Sequence, residues 1–467
     1  MTPSLTTRLA AVCVWAVAML TAGCSQPPPP SPAENVVVFG LDAATWEVLD
    51  PLMQRGLLPN LQKLRTAGTT APLQSTHPSS SPVIWTSIAT GKTPEKHGIT
   101  TFVRFPDGEA GKPSPVSRTL RNGKAFWNIL GERGHDVAVV GWFVTWPVEA
   151  VNGRMVSDRA HWGAIDDQGI FPPSYLTDLA VPTMDDARTA MPRFMSYEFE
   201  PAELLADSTD PAVRLNYLVF DRFVRAYMRD LYYVRAAERI LQDGALPKVL
   251  ALYLRGTDDV QHGFWKFMEP QWFADVPPDQ AERFGKVIER YWQWTDEQVG
   301  KILAYYEGKN PLVLVVSDHG AGPAVGQYKI NVPEYLHLSG AHRDKGVLIA
   351  AGPGVREGKT MDGASIYDIT PTLLWYLGEP VGADMDGKVL TNLFTPVFSH
   401  RSISTVASYD DPNQQPTLQT ESKVDAQALE HLRSLGYIDY RVQAVIRSQR
   451  HDRPPDARRG DVDALRS

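Results

Sequence analysis

Three apolar runs in this chain each pass into acidic or acid–histidine residues. Val36-Val-Val-Phe39 leads into Gly40-Leu41-Asp42, and Val249-Leu-Ala-Leu-Tyr-Leu254 into Arg255-Gly-Thr-Asp258-Asp259-Val-Gln-His262. Pro311-Leu-Val-Leu-Val-Val316 leads into Ser317-Asp318-His319-Gly320, and His342 stands just ahead of a further run, Gly346-Val-Leu-Ile-Ala-Ala351. Each has an ordinary reading when taken alone. Asp42 can cap a following helix, Asp258 and His262 can be a surface i,i+4 pair, and Asp318-His319 can be a turn. Three such endings at one edge of a sheet are harder to explain that way, because carboxylate and imidazole together suit divalent zinc or manganese. Thiolate chemistry is excluded: both cysteines, Cys13 and Cys24, lie in the first 24 residues, so the rest of the chain has no disulfide framework, thiolate zinc site or cysteine nucleophile.

A hydroxyl nucleophile is available in His77-Pro-Ser-Ser-Ser81-Pro82-Val-Ile-Trp85. Serine followed by proline is a common helix start, and simple capping would account for it. The same position also sets a hydroxyl beside free backbone N–H groups and the positive end of a helix dipole, where a phosphate is stabilised. Metal coordination there would lower the serine pKa. Ser79 and Ser80 have the same local credentials as Ser81.

The elements that must position these residues are those of an α/β fold. Apolar runs at 36–39, 135–141, 249–254, 311–316 and 346–351 read as strands. Helical patterns at 46–55, 61–67 and 279–307 stand between them, which predicts a parallel or mostly parallel sheet covered by helices on both faces. Such sheets place their sites at the carboxyl ends of the strands. Residues 151–245 fit no β-α unit and read as an inserted cap on one domain spanning 35–440, with a polar tail over 441–467. Of the 467 residues, 43% are hydrophobic and 21% charged, enough apolar material for a large core and unlike a disordered, collagenous or multi-span membrane chain. A net charge of -8 removes the basic footprint of a nucleic-acid binder.

Residues 1–24 read as an export signal, with Arg8 ahead of an apolar stretch from Leu9 to Leu20 that is too short to span a membrane comfortably. Leu20-Thr-Ala-Gly-Cys24 resembles a bacterial lipoprotein processing site, although Thr21 stands where leucine is usual. It implies lipidation at Cys24. A proline-rich linker follows over 25–34, so the expectation is an exported domain lipid-anchored to a membrane of the cell envelope.

Together these motifs resemble the type I phosphodiesterase/nucleotide pyrophosphatase branch of the alkaline phosphatase superfamily, over roughly residues 36–395. The block Ser81-Pro-Val-Ile-Trp through Ala89-Thr90-Gly91 and on to His97-Gly98-Ile99 looks like the family's nucleophile block. Its nucleophile stands nine residues before the Thr of Thr-Gly, which selects Ser81. Asp258 with His262 resembles the family's Asp-x-x-x-His element, favouring Asp258 over Asp259. Ser317-Asp318-His319-Gly320 resembles its Ser-Asp-His-Gly element, and His342 its last metal histidine, with His337 the nearest rival. Asp368-Ile-Thr-Pro-Thr-Leu-Leu resembles part of the closing segment.

The resemblance implies an alkaline-phosphatase-like fold and two divalent metal ions, zinc or alternatively manganese. Asp258, His262 and His342 would hold one, and Asp42, Asp318 and His319 the other, with Ser81 at the second. It implies hydrolysis of a small-molecule phosphate ester, of phosphodiesterase or pyrophosphatase type, through a phosphoseryl intermediate. The alternatives are a phosphomonoesterase or phosphoryl transferase on the same site, or a non-catalytic metal-stabilised envelope binding protein. One departure concerns specificity: the nucleotide pyrophosphatases carry a phosphate-contacting Asn where this chain has Phe102, so nucleotide specificity does not carry over. The sulfatase Cys/Ser-x-Pro-x-Arg motif is missing. Lys92, Arg104 and Arg255 are candidate phosphate neutralisers, and the aromatic stretch Gly141-Trp-Phe-Val-Thr-Trp146 and Trp265 are candidate pocket walls.

Overall fold

The computed structural model describes residues 32–411 except 78, 105–113, 163–167, 174, 197–210, 274–275 and 325–337, together with 425–427 and 429. The signal segment with Cys24, the linker up to residue 31, the tail over 441–467 and His337 lie outside the described residues.

The central strands are β1 (Val36–Leu41), β2 (Gly68–Gln74), β3 (Val137–Val140), β4 (Gly153–Val156), β5 (Ile170–Phe171), β6 (Val249–Leu254) and β7 (Leu312–Val316). A two-stranded arm, β8 (Gly320–Pro323) with β9 (Gly340–Arg343), leads to β10 (Lys345–Ala351). From the edge strand Lys359–Thr360 inward, the sheet runs β2-β10-β7-β1-β6-β3-β4-β5. Strands β7, β1, β6, β3 and β4 are mutually parallel. Strand β10 runs antiparallel to both β7 and β2.

Side-chain alternation explains why the central strands read as unbroken apolar runs. Val37, Phe39 and Leu41 of β1 pack into one hydrophobic cluster while Val36 and Val38 pack into another. The same split divides Leu250, Leu252 and Leu254 from Val249, Ala251 and Tyr253 in β6, so both faces are buried and neither can be polar. On one face lie α1 (Trp46–Gln54) and α2 (Pro59–Ala67), and on the other α3 (Ser81–Thr90) and α4 (Phe126–Glu132). The first face also takes α5 (Pro211–Gln242), α6 (Gly256–Met268) and α7 (Val287–Ala304), and the second takes α8 (Ile369–Leu377).

Two features depart from the sequence expectation. Strand β2 is not among the runs the sequence marks as strands, because Gly68-Thr-Thr-Ala-Pro-Leu-Gln74 has neither a β-branched apolar run nor alternation; its pairing with all seven residues of β10 makes it a strand. Residues 151–245 are more than a cap. They supply β4 and β5 to the main sheet and α5, which packs on α6 and β6. Gly153-Arg-Met-Val156 carries too few apolar residues to announce itself, and pairing with β3 decides it.

Candidate metal centre and adjoining pocket

In-register pairing sets the three acidic endings at one level. Gly40 of β1 is opposite both Tyr253 of β6 and Val316 of β7, so Asp42 and Asp318 each emerge two residues further along. Asp258 follows in the first turn of α6. The reversed β10 brings in the last ligand: it begins where β7 ends, and the β8–β9 arm sets His342 opposite Ala321.

The structure brings all six candidate ligands together, buried except for a partly exposed His342. His319 Nε2 lies 3.2 Å from Asp318 Oδ2 and 3.6 Å from Asp42 Oδ1. Asp258 Oδ1 lies 3.2 Å from His262 Nε2 and 3.6 Å from His342 Nε2. The His319 and His342 rings stack at 3.6 Å, joining the two groups. Ligand atoms of Asp42, Asp318 and His319, and likewise of Asp258, His319 and His342, fall within 4.8 Å of one another. His319 thus borders both sets.

This donor set fits cations. The Nδ1 atoms of His262, His319 and His342 meet the carbonyl oxygens of Gly340, Gly320 and Ser79 at 2.8, 3.0 and 2.9 Å. A carbonyl only accepts, so each ring donates there and turns Nε2 toward the centre, as second-shell partners of metal-bound histidines do. The Nε2 atoms of His262 and His342 then face each other at 2.9 Å, which requires a proton or a cation between neutral rings. Asp42 Oδ1, Asp258 Oδ2, Asp318 Oδ2 and His319 Nε2 are buried with no hydrogen-bond partner among the described residues. Buried polar atoms without partners are costly, and four aimed into one cluster mark a site for positive charge.

The electrostatics agree. Burial, then the charge of Asp258, pushes Asp42 up to about 7, and burial with the nearby Asp42 drives Asp318 well above the carboxylate range. Burial and the neighbouring His342 hold His319 well below its usual value. Burial opposes ionisation of Asp258, but the His262 and His342 imidazoles outweigh it and keep that carboxyl well below its ordinary value.

Several positioning residues escaped the sequence reading. Tyr253 donates its hydroxyl to Asp42 Oδ2, Thr257 Oγ1 donates to the Asp42 carbonyl at 2.6 Å, and Gln261 Nε2 donates to the Ala43 carbonyl at 3.0 Å. Asp230 of α5 accepts the N–H groups of Arg255 and Gly256 and so holds the start of α6. The signal for Tyr253 was present in the sequence: a phenol at the end of a buried strand needs a partner.

Ser80 is the N-cap of α3 and Ser81 its first residue; both hydroxyls are buried without a partner among the described residues. The segment is tied to the centre by the bond from His342 to the Ser79 carbonyl. Beside it opens a pocket walled by Pro82, Phe102, Pro115, Val116, Phe143 and Tyr253, with Arg159, Arg229, Arg255 and His161 among its polar lining. Phe143 and Arg255 therefore do line a pocket, and so does Phe102. Trp142 and Trp146 are buried core residues, and Trp265 is buried with its indole donating to Glu269 at 2.6 Å. Lys92 pairs with Asp384 and Asp410 at 2.6 and 2.5 Å, which makes it a tie to the C-terminal segments. Arg104 sits in a two-residue strand paired with Ser114–Pro115.

A mostly parallel α/β sheet thus carries at its carboxyl edge an Asp/His cluster whose donors could hold metal ions. Residues 36–372 match the model of the family described as type I phosphodiesterase / nucleotide pyrophosphatase, and the chain belongs to that family. It is an enzyme of the phosphodiesterase/phosphatase type. Comparison with curated proteins finds no match. Among solved structures, human ectonucleotide pyrophosphatase / phosphodiesterase 5 is similar at 12% identity and a TM-score of 0.45, covering 77% of this chain and 100% of that one. A variant of the alkaline phosphatase PafA is similar at 13% and 0.45, covering 79% and 100%. BT1596, a 2-O GAG sulfatase, is similar at 13% and 0.47, covering 78% and 74%.

Proposed function

We propose that this protein hydrolyses a small-molecule phosphate ester, with a diester preferred, by way of a phosphoserine at Ser81. The observation that carries the reading is the cluster of unpartnered carboxylate and imidazole atoms at the sheet edge, bonded through His342 to the segment that begins α3. Asp42, Asp318 and His319 would hold one divalent ion and Asp258, His262 and His342 the other, zinc or manganese. When bound, such a pair supplies positive charge that lowers the serine pKa and stabilises attacking and leaving oxygens.

The chain's own residues do the rest. Ser81 opens α3, whose positive dipole end favours an anionic phosphate, while Pro82 and the aromatic wall exclude water. The Ser81 oxygen forms a bond to phosphorus as the ester P–O bond breaks, and the alcohol departs with a proton. Water then attacks the same phosphorus, the Ser81 P–O bond breaks, and serine regains its proton. Two inversions give net retention. Phe102, buried in the pocket wall, puts an apolar ring where the nucleotide-cleaving relatives carry Asn, which supports substrates other than nucleotides. We also propose that Cys24 carries a lipid and that the domain works at the cell envelope.

The test is acid-quenched turnover of a 4-nitrophenyl phosphodiester followed by peptide mapping. A phosphate on the peptide bearing Ser81, and turnover lost by at least a thousandfold in Ser81→Ala with two metal equivalents retained, are expected. Undiminished turnover in that variant overturns the covalent route.

A further inference from the structure

The acidic partners of the pocket arginines are unequally placed. Arg229 and Arg255 share Asp259, the residue after Asp258, at 2.5 and 3.6 Å. Asp158, also in the pocket wall, accepts the N–H groups of Val144 and Thr145 and the Thr145 hydroxyl. Arg159 is 3% exposed and donates to the Val116 carbonyl at 2.6 Å and to the carboxylate of Asp425. Asp425 stands 266 residues away, in a short helical stretch beyond the family-matched region. A buried guanidinium lining a substrate pocket is thus paired with a carboxylate from a late part of the chain, and the fork geometry of arginine suits carboxylate and phosphate alike.

We infer that the pocket takes esters whose second substituent carries its own anionic group, that Arg159 receives that group, and that the Asp425 carboxylate holds the same place until the substrate displaces it. The inference rests on the hydrolase reading above and names its substrate class. Arg159 shares the pocket with Tyr253, which is bonded to Asp42, and with Pro82, next to Ser81. A substituent leaving the phosphate along the wall of Phe102 and Phe143 reaches Arg159 within one pocket.

Two diesters differing only in this charge provide the test: 4-nitrophenyl 3-carboxypropyl phosphate and its methyl ester. A new charge-assisted hydrogen bond, less the cost of displacing Asp425, gives a kcat/KM ratio of acid to ester of about tenfold in the intact chain. The ratio falls toward one in Arg159→Gln and rises severalfold in Asp425→Asn; because it is internal to each variant, partial unfolding cancels. Raising the salt concentration lowers it. A ratio of one in the unaltered protein, a ratio indifferent to Arg159→Gln, or a lower ratio in Asp425→Asn overturns the inference. If neither diester is turned over, the hydrolase reading fails. Calorimetric binding of the matching non-hydrolysable phosphonates then decides the inference separately, equal binding of acid and ester refuting it.

Discussion

Replacing Tyr253 by phenylalanine removes one buried hydroxyl and leaves the ring in place. That ring packs 4.7 Å from Trp85 and 5.7 Å from Phe143, so the apolar contacts survive, while Asp42 Oδ2 loses its donor. Both residues are buried. A hydrogen bond to a charged group contributes about 1.5–3 kcal/mol, and each 1.4 kcal/mol is about tenfold in an equilibrium constant. Metal affinity at the Asp42, Asp318 and His319 set is therefore expected to fall about 10- to 100-fold, the usual range for losing a ligand's outer partner. The pH dependence moves too. Burial and the charge of Asp258 push Asp42 up to about 7, metal binding needs the carboxylate, and affinity is expected to fall as pH drops through about 7. The tyrosine donor lowers the Asp42 pKa, so Tyr253→Phe shifts that fall to higher pH. Zinc competition against a chromophoric chelator between pH 5.5 and 8.5 measures both quantities. Wild-type affinity with an unmoved pH midpoint would refute the reasoning.

Other perturbations probe separate parts of the molecule. Asp258→Ala is expected to lose about one of two metal equivalents by elemental analysis, because the two ligand sets lean on different carboxylates. At Gly256 a methyl group would fall 1.9 Å from the Tyr291 oxygen and 2.5 Å from Asp230 Oδ2. Gly256→Ala should shift the start of α6, weaken metal binding beside Asp258 and cost about 1–3 kcal/mol in urea unfolding. Burial, then the charge of Arg121, pushes His97 down to about 3 from its ordinary 6.5. The unfolded chain takes up that proton first, so stability is unaffected above 6.5 and declines by about 1.4 kcal/mol per pH unit as pH falls toward 3. Proton NMR should show no His97 titration between pH 5 and 8, and His97→Gln should flatten the acid slope of stability.

Much of the architecture was legible because the five parallel strands include the chain's most apolar runs, buried on both faces. Strand β2 and the short β4 were not, since their partners rather than their composition make them strands. At the site, Asp42, Asp318 and His319 come within three residues of the ends of apolar strands, Asp258 and His262 lie in the helix after another, and their types alone pointed to a cation. Tyr253 sits inside a strand that otherwise reads as core, where only its phenol signals a partner. The pocket's charge was hidden, because Arg159 meets Asp425 across 266 residues.

What the sequence determined by itself was the chemistry on offer: oxygen and nitrogen ligands, a serine before a helix, and no thiol beyond the first 24 residues. What the tertiary structure decided was which of these meet. His342 lies in β9, just ahead of β10, and ahead of a parallel strand it would lie at the opposite edge of the sheet. Because β10 runs antiparallel to β7, its beginning coincides with the ends of β1, β6 and β7. Strand direction depends on long-range pairing, which composition and spacing along the chain do not encode.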